Sequence, residues 1–215
     1  MRAILERRRP FTGGARVTTA FRFTSADLER MPDIEGVRYE IIDGELYVSR
    51  QPVESHQYAC VVLSSALHVW NVQTGMGLTV QVPGLVFSAD NDVIPDLVWI
   101  SHERRALALD ERGHYSIAPE LVVEVLSPGS MNERRDRELK LNLYSRQGVQ
   151  EYWIVDWRQH VVEVYRPEAD TLRLVTTLSD DDEVTSPLFP GFACPVASLW
   201  APPIRQQPAA SSAAC

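Results

Sequence analysis

Two short apolar segments, each with an acidic residue in its interior, most constrain what this chain can fold into. Residues 94–100 and 120–126 are rich in Val, Ile and Leu, as buried strands are, and they contain Asp96 and Glu124. An ionised carboxylate in such surroundings is costly unless a cation or a metal ion compensates it. Asp96 could instead make a turn or cap, and Glu124 could face solvent on an edge strand. Alternation places Glu124 on a face with apolar neighbours, which favours a functional carboxylate.

The next stretch, residues 131–147, is predicted to form a charged helix. Asp136, Lys140 and Tyr144 are spaced by four, so they share one helix face. The spacing also fits an ordinary surface Asp–Lys pair, worth a few tenths of a kcal/mol. If this face turns toward the two carboxylates, Lys140 can stabilise charge on a phosphate or position a water. Phosphate contacts are predicted for the neighbouring arginines Arg134, Arg135 and Arg137.

The remaining pattern predicts hairpins and one long helix. Asp43-Gly44 between β-prone runs predicts a hairpin over residues 38–48. Residues 55–73 predict a helix with Val61, Val62, Ala66, Val69 and Trp70 as its apolar positions. Near its start His56 could reach the site, although a lone histidine is more often a cap or surface residue. Residues 90–92 read as a turn.

Strands are predicted over 150–156, 161–165 and 172–175, with 183–185 extending the same meander. The strand–helix–strand at 120–156 predicts a crossover between parallel strands. The fold class is α/β (α+β), with one mixed sheet flanked by helices and additional antiparallel hairpins.

Composition narrows the class of protein. The chain has 215 residues, a formal net charge of -8 and three cysteines. Such acidity argues against a generic nucleic-acid coating protein but permits a local basic groove. The scattered cysteines show no zinc spacing and predict free thiols in a reducing, cytoplasmic compartment; no apolar run suits a membrane helix. Residues 1–22 predict a disordered basic arm, 23–200 a single domain and 201–215 a disordered tail.

Several motifs together resemble a known bacterial family. They are Tyr39-Glu40-Ile41-Ile42-Asp43-Gly44-Glu45-Leu46, Pro95-Asp96-Leu97-Val98, Val122-Val123-Glu124-Val125-Leu126-Ser127-Pro128-Gly129-Ser130 and Gly148-Val149-Gln150-Glu151-Tyr152-Trp153-Ile154-Val155-Asp156. In this order they resemble the Uma-type restriction-endonuclease-like proteins, part of the PD-(D/E)XK nuclease superfamily. The resemblance covers about residues 24–200.

The resemblance implies a restriction-endonuclease-like core with Asp96 and Glu124 as Mg²⁺ ligands. The superfamily lysine lies two residues after the second acidic residue, where this chain has Leu126, so Lys140 would act in its place from the helix. Either Glu45 or Glu40 of the hairpin could supply a further acidic group, and the sequence does not choose between them.

The leading hypothesis is a Mg²⁺-dependent DNA endonuclease, with Mn²⁺ as a possible substitute and a homodimer as a possible state. Mg²⁺ is expected rather than Zn²⁺ because the ligands are hard oxygens and the sequence shows no cysteine or histidine cluster. The main alternative is a module of the same fold that binds DNA or a protein without efficient cleavage. A third hypothesis is action on RNA or on a small phosphorylated molecule.

Overall fold

The computed structural model describes residues 21–203, which contain two main β-sheets and the helices packed against them. The larger sheet has six strands in the order β10-β9-β8-β7-β6-β3. Their bounds are Gly77–Gln81 (β3), Leu97–Ser101 (β6), Leu121–Val125 (β7), Glu151–Asp156 (β8), Val161–Glu168 (β9) and Thr171–Leu178 (β10). Strands β7 and β8 are parallel and the other neighbours antiparallel, so the predicted mixed sheet is confirmed.

The smaller sheet is built on the predicted hairpin. It has four antiparallel strands in the order β2-β1-β5-β4. Their bounds are Arg38–Ile42 (β1), Glu45–Ser49 (β2), Leu85–Ser88 (β4) and Asn91–Val93 (β5). Asp43 and Gly44 have φ of 49° and 77°, the positive values that a tight hairpin turn requires of both central residues. The stretch 90–92, predicted as a turn, instead contributes most of β5.

Helices cover both faces of the six-stranded sheet. The shorter ones are Ser25–Leu28 (α1) and His102–Ala108 (α3), and the longest is Glu54–Thr74 (α2). The segment between β7 and β8 comprises Ser130–Arg134 (α4), a π-helix over Arg135–Lys140, and Leu141–Arg146 (α5). The predicted charged helix over 131–147 is therefore confirmed, with the difference that six residues at its centre form the wider π turn.

Alternation along β7 divides its side chains between two cores. Leu121, Val123 and Val125 join the core beneath α2, whereas Val122 joins the core on the side of α5. Glu124 has the same parity as Val122, as predicted, and is 2% exposed. The acidic side chain therefore points into the packed face that carries the charged helix.

The predicted apolar face of α2 was right for Trp70, which is buried, and for Val62 and Ala66, which pack against the core, but wrong for Val61 and Val69. Val61 and Val69 are 55% and 57% exposed, while the side chains that pack inward are Ala59, Cys60, Leu63, Leu67 and Trp70. Both sets satisfy a helical period, and the larger leucine side chains bury more apolar area than the valines. This rotation turns His56 inward as well.

The end of the described chain also differs from the prediction. Glu183–Val184 (β11) pairs with Cys194–Pro195 (β12) in a separate two-stranded sheet instead of extending the meander. A short 3₁₀ helix follows over Val196–Leu199. The predicted arm 1–22 and tail 201–215 lie almost wholly outside the described residues, and the single-domain boundaries remain predictions.

Candidate active site

Asp96 is held just before β6 by contacts from three separate elements. Its Oδ2 accepts a hydrogen bond from the Val125 amide at 2.9 Å and lies 3.2 Å from His56 Nε2, while Arg38 donates to Oδ1 at 3.3 Å. Burial raises the pKa of Asp96, but the hydrogen bond and charge of His56 and the Val125 amide outweigh it, so the pKa is lowered. Asp96 is therefore an ionised carboxylate in a buried position.

Glu124 is bound on one oxygen by two buried donors from the following helix. Lys140 Nζ and the Tyr144 hydroxyl each donate to Glu124 Oε1 at 2.9 Å. Lys140 is 1% exposed and Tyr144 is fully buried. Burial raises the pKa of Glu124 to about 8 even though the Lys140 charge lowers it. The carboxylate therefore lacks some of the positive charge it would need to ionise readily.

Lys140 is shared among three acidic side chains. Its Nζ is 2.7 Å from Glu40 Oε1, 2.9 Å from Glu124 Oε1 and 3.9 Å from Asp136 Oδ1. Burial lowers the pKa of Lys140, but Glu124 and Glu40 outweigh it and raise the pKa, so Lys140 is charged. The ammonium group is the centre of a buried charge cluster.

The structure distinguishes between the two glutamates of the hairpin. Glu40 lies in β1, is 3% exposed and accepts a hydrogen bond from the Ile94 amide at 2.8 Å. Glu45 is exposed and accepts a hydrogen bond from the Tyr47 hydroxyl at 2.8 Å. Glu40 therefore belongs to the charge cluster, and Glu45 lies outside it.

The π-helix turns three charged side chains inward. Arg135, Asp136 and Lys140 are all buried within this six-residue segment. Arg135 donates to both oxygens of Asp136, at 2.8 and 3.1 Å, and the Tyr152 hydroxyl donates to the Asp136 carbonyl at 2.9 Å. Burial raises the pKa of Asp136 despite Lys140 and Arg135. Such π segments are rare in helices and frequently occur at functional sites.

These residues line one small cleft. It encloses about 30 Å³ and is lined in its depth by Glu40, His56, Asp96, Glu124, Arg135 and Lys140. Toward solvent it is lined by Arg38, Ser49 and Arg50. This volume holds a metal ion or one or two water molecules but not a nucleotide.

Two of the three predicted phosphate-contacting arginines point elsewhere. Arg134 is exposed and pairs with Glu138 at 3.1 Å. Arg137 binds Glu163 and lies 3.5 Å from Asp156. Arg135 does line the cleft, bonded to Asp136. The sequence analysis did not single out Arg38 and Arg50, which lie at the two ends of the hairpin. The only signal for them was the resemblance of that hairpin to the family.

A histidine and a cysteine lie close to Asp96, contrary to the expectation of no such cluster. Within residues 21–203, His56, Cys60 and Asp96 are the one group of three potential metal ligands whose donor atoms all lie within 4.8 Å of one another. The spacing of four between His56 and Cys60 was the available signal. It escaped notice because valines were predicted to face the core.

The chain matches a known protein family. A family model described as "Uma2: Putative restriction endonuclease" matches residues 25–197. The chain belongs to this family. The predicted resemblance is thereby confirmed.

The fold comparison agrees with the family match. A crystal structure of a "putative nuclease belonging to DUF820" from Anabaena variabilis ATCC 29413 superposes with a TM-score of 0.65. The two chains are 20% identical, and the match covers 82% of this chain and 97% of the other. No curated protein matches the chain. Over residues 21–203, no helix is long and apolar enough to cross a membrane.

Proposed function

We propose that this Uma2 protein is a Mg²⁺-dependent endonuclease that hydrolyses DNA phosphodiester bonds, with Mn²⁺ as a possible substitute. The observation that carries the proposal is the convergence of Asp96 and Glu124, from adjacent strands, on one cleft that also contains the buried Lys140. Two carboxylates and a cation in a small polar cleft are the groups that metal-assisted phosphodiester hydrolysis uses.

The donor set of the cleft fits a hard divalent cation. Both hydrogen bonds to Glu124 reach Oε1, and Oε2 accepts none from any residue in the range 21–203. The cleft region holds four carboxylates (Glu40, Asp96, Glu124, Asp136) and four cationic side chains (Arg38, Arg50, Arg135, Lys140), with Arg50 at the solvent side. Asp96 and Glu124 would hold the ion. A bound Mg²⁺ would lower the pKa of a coordinated water and neutralise charge on the phosphate.

Lys140 and Tyr144 would orient the carboxylate and stabilise the transition state. By donating to Glu124 Oε1, they fix the carboxylate so that Oε2 stays free. The Lys140 ammonium lies in the cleft and supplies positive charge where negative charge develops on the phosphate. Lys140 would thus take over, from the helix, the role of the lysine that is replaced by Leu126.

The shape of the cleft favours a polymeric substrate. Its depth, about 30 Å³, has room for a water or an ion, and the substrate would lie across the opening. Arg38 and Arg50 line that opening and would bind the backbone phosphates. A small phosphorylated molecule would require an enclosing pocket, and a nucleic-acid backbone would not.

The test is cleavage of supercoiled plasmid by the purified protein with Mg²⁺, with Mn²⁺ or with EDTA. Asp96→Asn and Glu124→Gln are expected to reduce nicking by at least about 100-fold, because each removes a ligand charge. Glu151→Gln is the matched control, since Glu151 is equally buried but lies outside the cleft. Metal-independent nicking, or equal losses in all three variants, would contradict the proposal. Plasmid binding without cleavage would favour the binding-module alternative.

A further inference from the structure

Helix α2 places a histidine and a cysteine one turn apart on its buried face. His56 and Cys60 are 3% and 6% exposed. His56 Nδ1 lies 3.7 Å from Cys60 Sγ, and His56 Nε2 lies 3.2 Å from Asp96 Oδ2. Ligands four residues apart on a helix are a recognised zinc-binding spacing. A thiol at the second position adds a softer ligand than any carboxylate of the cleft.

The distances among the three side chains are close to those of a metal site. One donor atom from each lies within 4.8 Å of the other two. A tetrahedral zinc ion, with bonds of about 2.0 to 2.3 Å, keeps its ligand atoms roughly 3.3 to 3.6 Å apart. Because Nδ1 of His56 lies near Cys60 and Nε2 lies near Asp96, one of the two nitrogens would bind the ion, and the ring would turn so that this nitrogen faces both partners. Because His56 and Asp96 line the cleft, water can complete the coordination from that side.

The surrounding charges favour a cation at this position. Burial, followed by the negative charge of Asp96, raises the pKa of the Cys60 thiol, so the thiol keeps its proton in the metal-free protein. The ionised Asp96 attracts a divalent ion, whose binding would release that proton. Arg38, the cation facing Asp96, has a side chain that is 30% exposed and can turn toward solvent.

Cys60 also packs in the apolar core, where a buried cysteine commonly serves only as a small hydrophobic side chain. Cys194 illustrates that simpler role: it is 2% exposed, and its Sγ contacts the Pro195 carbonyl and the Ser198 hydroxyl. In the described part of the chain Cys194 joins no group of three potential metal ligands. What distinguishes Cys60 is therefore the histidine and carboxylate beside it.

We propose that His56, Cys60 and Asp96 form a binding site for a transition-metal ion of the Zn²⁺ type. A thiolate, an imidazole and a carboxylate together select such ions over Mg²⁺. The proposal does not rest on nuclease activity, since it concerns metal binding alone. Asp96 is common to this site and to the proposed Mg²⁺ site, so the two ions would compete for it.

The experiment uses Co²⁺ as a visible substitute for Zn²⁺ and needs no DNA. In the full-length chain, Cys194→Ala and Cys215→Ala are combined so that Cys60 is the only cysteine left. Titration of this metal-free variant is expected to give thiolate-to-cobalt charge-transfer absorption that saturates at about one equivalent. Adding Zn²⁺ should abolish the absorption, and adding Cys60→Ala should remove it. Absence of the band from the folded double variant would overturn the proposal.

Thermal melting gives an independent readout in case Cys60→Ala disturbs the core. Zn²⁺ at 100 times its dissociation constant is expected to raise the Tm of the wild-type protein by roughly 5 °C. The Cys194→Ala/Cys215→Ala variant should show the same rise, and His56→Gln should show none. An equal rise in His56→Gln would contradict the proposed ligand set. These outcomes remain readable even if plasmid cleavage is never observed.

Discussion

Strands β7 and β8 lie side by side, and both bury acidic side chains, yet the two sets of carboxylates have different partners. On β8, Glu151 and Asp156 are each 1% exposed. Glu151 binds Arg166 at 2.6 Å and the Ser186 hydroxyl, and Asp156 binds Arg158 at 3.1 Å. The side chains of Arg166 and Arg158 are 35% and 29% exposed. On β7, by contrast, Glu124 binds Lys140, whose side chain is 1% exposed.

The exposure of the cationic partner distinguishes a structural ion pair on β8 from the candidate site on β7. The arginines that pair with β8 can be hydrated, so their charges are only partly desolvated. Lys140 has lost its water entirely and depends on the carboxylates around it. A buried carboxylate is therefore not diagnostic by itself. Burial of its cationic partner beside a cleft is the more specific signal.

The largest expected effect is on folding stability when the buried cation is removed. Lys140→Met should lower the free energy of unfolding by about 3 to 5 kcal/mol, because it leaves buried carboxylates uncompensated. Arg166→Met should cost only about 1 kcal/mol, because the Arg166 side chain is 35% exposed and the Ser186 hydroxyl still donates to Glu151. Urea denaturation monitored by circular dichroism measures both. Equal losses would break the distinction between the two strands.

A smaller effect is expected on the pH dependence of stability. The pKa of Glu124 is raised to about 8 by burial, from an ordinary value of 4.5. The folded metal-free protein thus binds a proton between these pH values that the unfolded chain has lost. Its stability should fall as pH rises through this window, by at most about 1.4 kcal/mol per pH unit from this group.

Glu124→Gln isolates that contribution, because the amide does not titrate. Urea midpoints measured at intervals from pH 5 to pH 8 should decline less in this variant than in the wild-type protein. Glu151→Gln serves as the comparison because burial also raises the pKa of Glu151. It shows how the pH profile changes when a buried carboxyl outside the cleft is removed. Identical pH profiles for wild type and Glu124→Gln would show that Glu124 is ionised throughout.

The smallest effect is expected for an exposed pair on the same helical segment. Arg134 and Glu138 have side chains 69% and 62% exposed, and their ion pair is screened by water. Arg134→Ala should change stability by less than about 0.5 kcal/mol. It should also leave plasmid cleavage within about twofold of wild type, whereas Arg50→Ala at the cleft opening should weaken it. A large loss of cleavage in Arg134→Ala would instead support the predicted phosphate contact of Arg134.

The sequence predicted much of the fold because its signals were local. The Asp-Gly turn, the apolar strands and the family motifs each depend on a few neighbouring residues. Asp96, Glu124 and Lys140 were predicted to meet, and the structure places them around one cleft. The resemblance to the family supplied the part of that prediction that spacing alone could not.

The missed features depend on tertiary packing. Glu40 and Glu45 both belong to the hairpin. Which of them turns inward depends on the pairing of β1 with β5 and on its contact with Lys140 of the π-helix. The sequence analysis gave no sign of the π segment, which carries the buried side chains of Arg135, Asp136 and Lys140. The inward face of α2 was only partly predicted, because two overlapping stripes satisfy a helical period. That error concealed Cys60, whereas His56 was predicted to be able to reach the site.

The buried charge cluster has a consequence for the order of events during synthesis. Glu40 enters it from the hairpin, Glu124 from β7, and Asp136 and Lys140 from the helical segment that ends at Arg146. Glu40 and Lys140 are a hundred positions apart in the chain, yet their side chains are in contact. A nascent chain that has emerged only through β7 would carry the acidic residues without the lysine that compensates them. The proposed site would therefore be completed late, after most of the fold has left the ribosome.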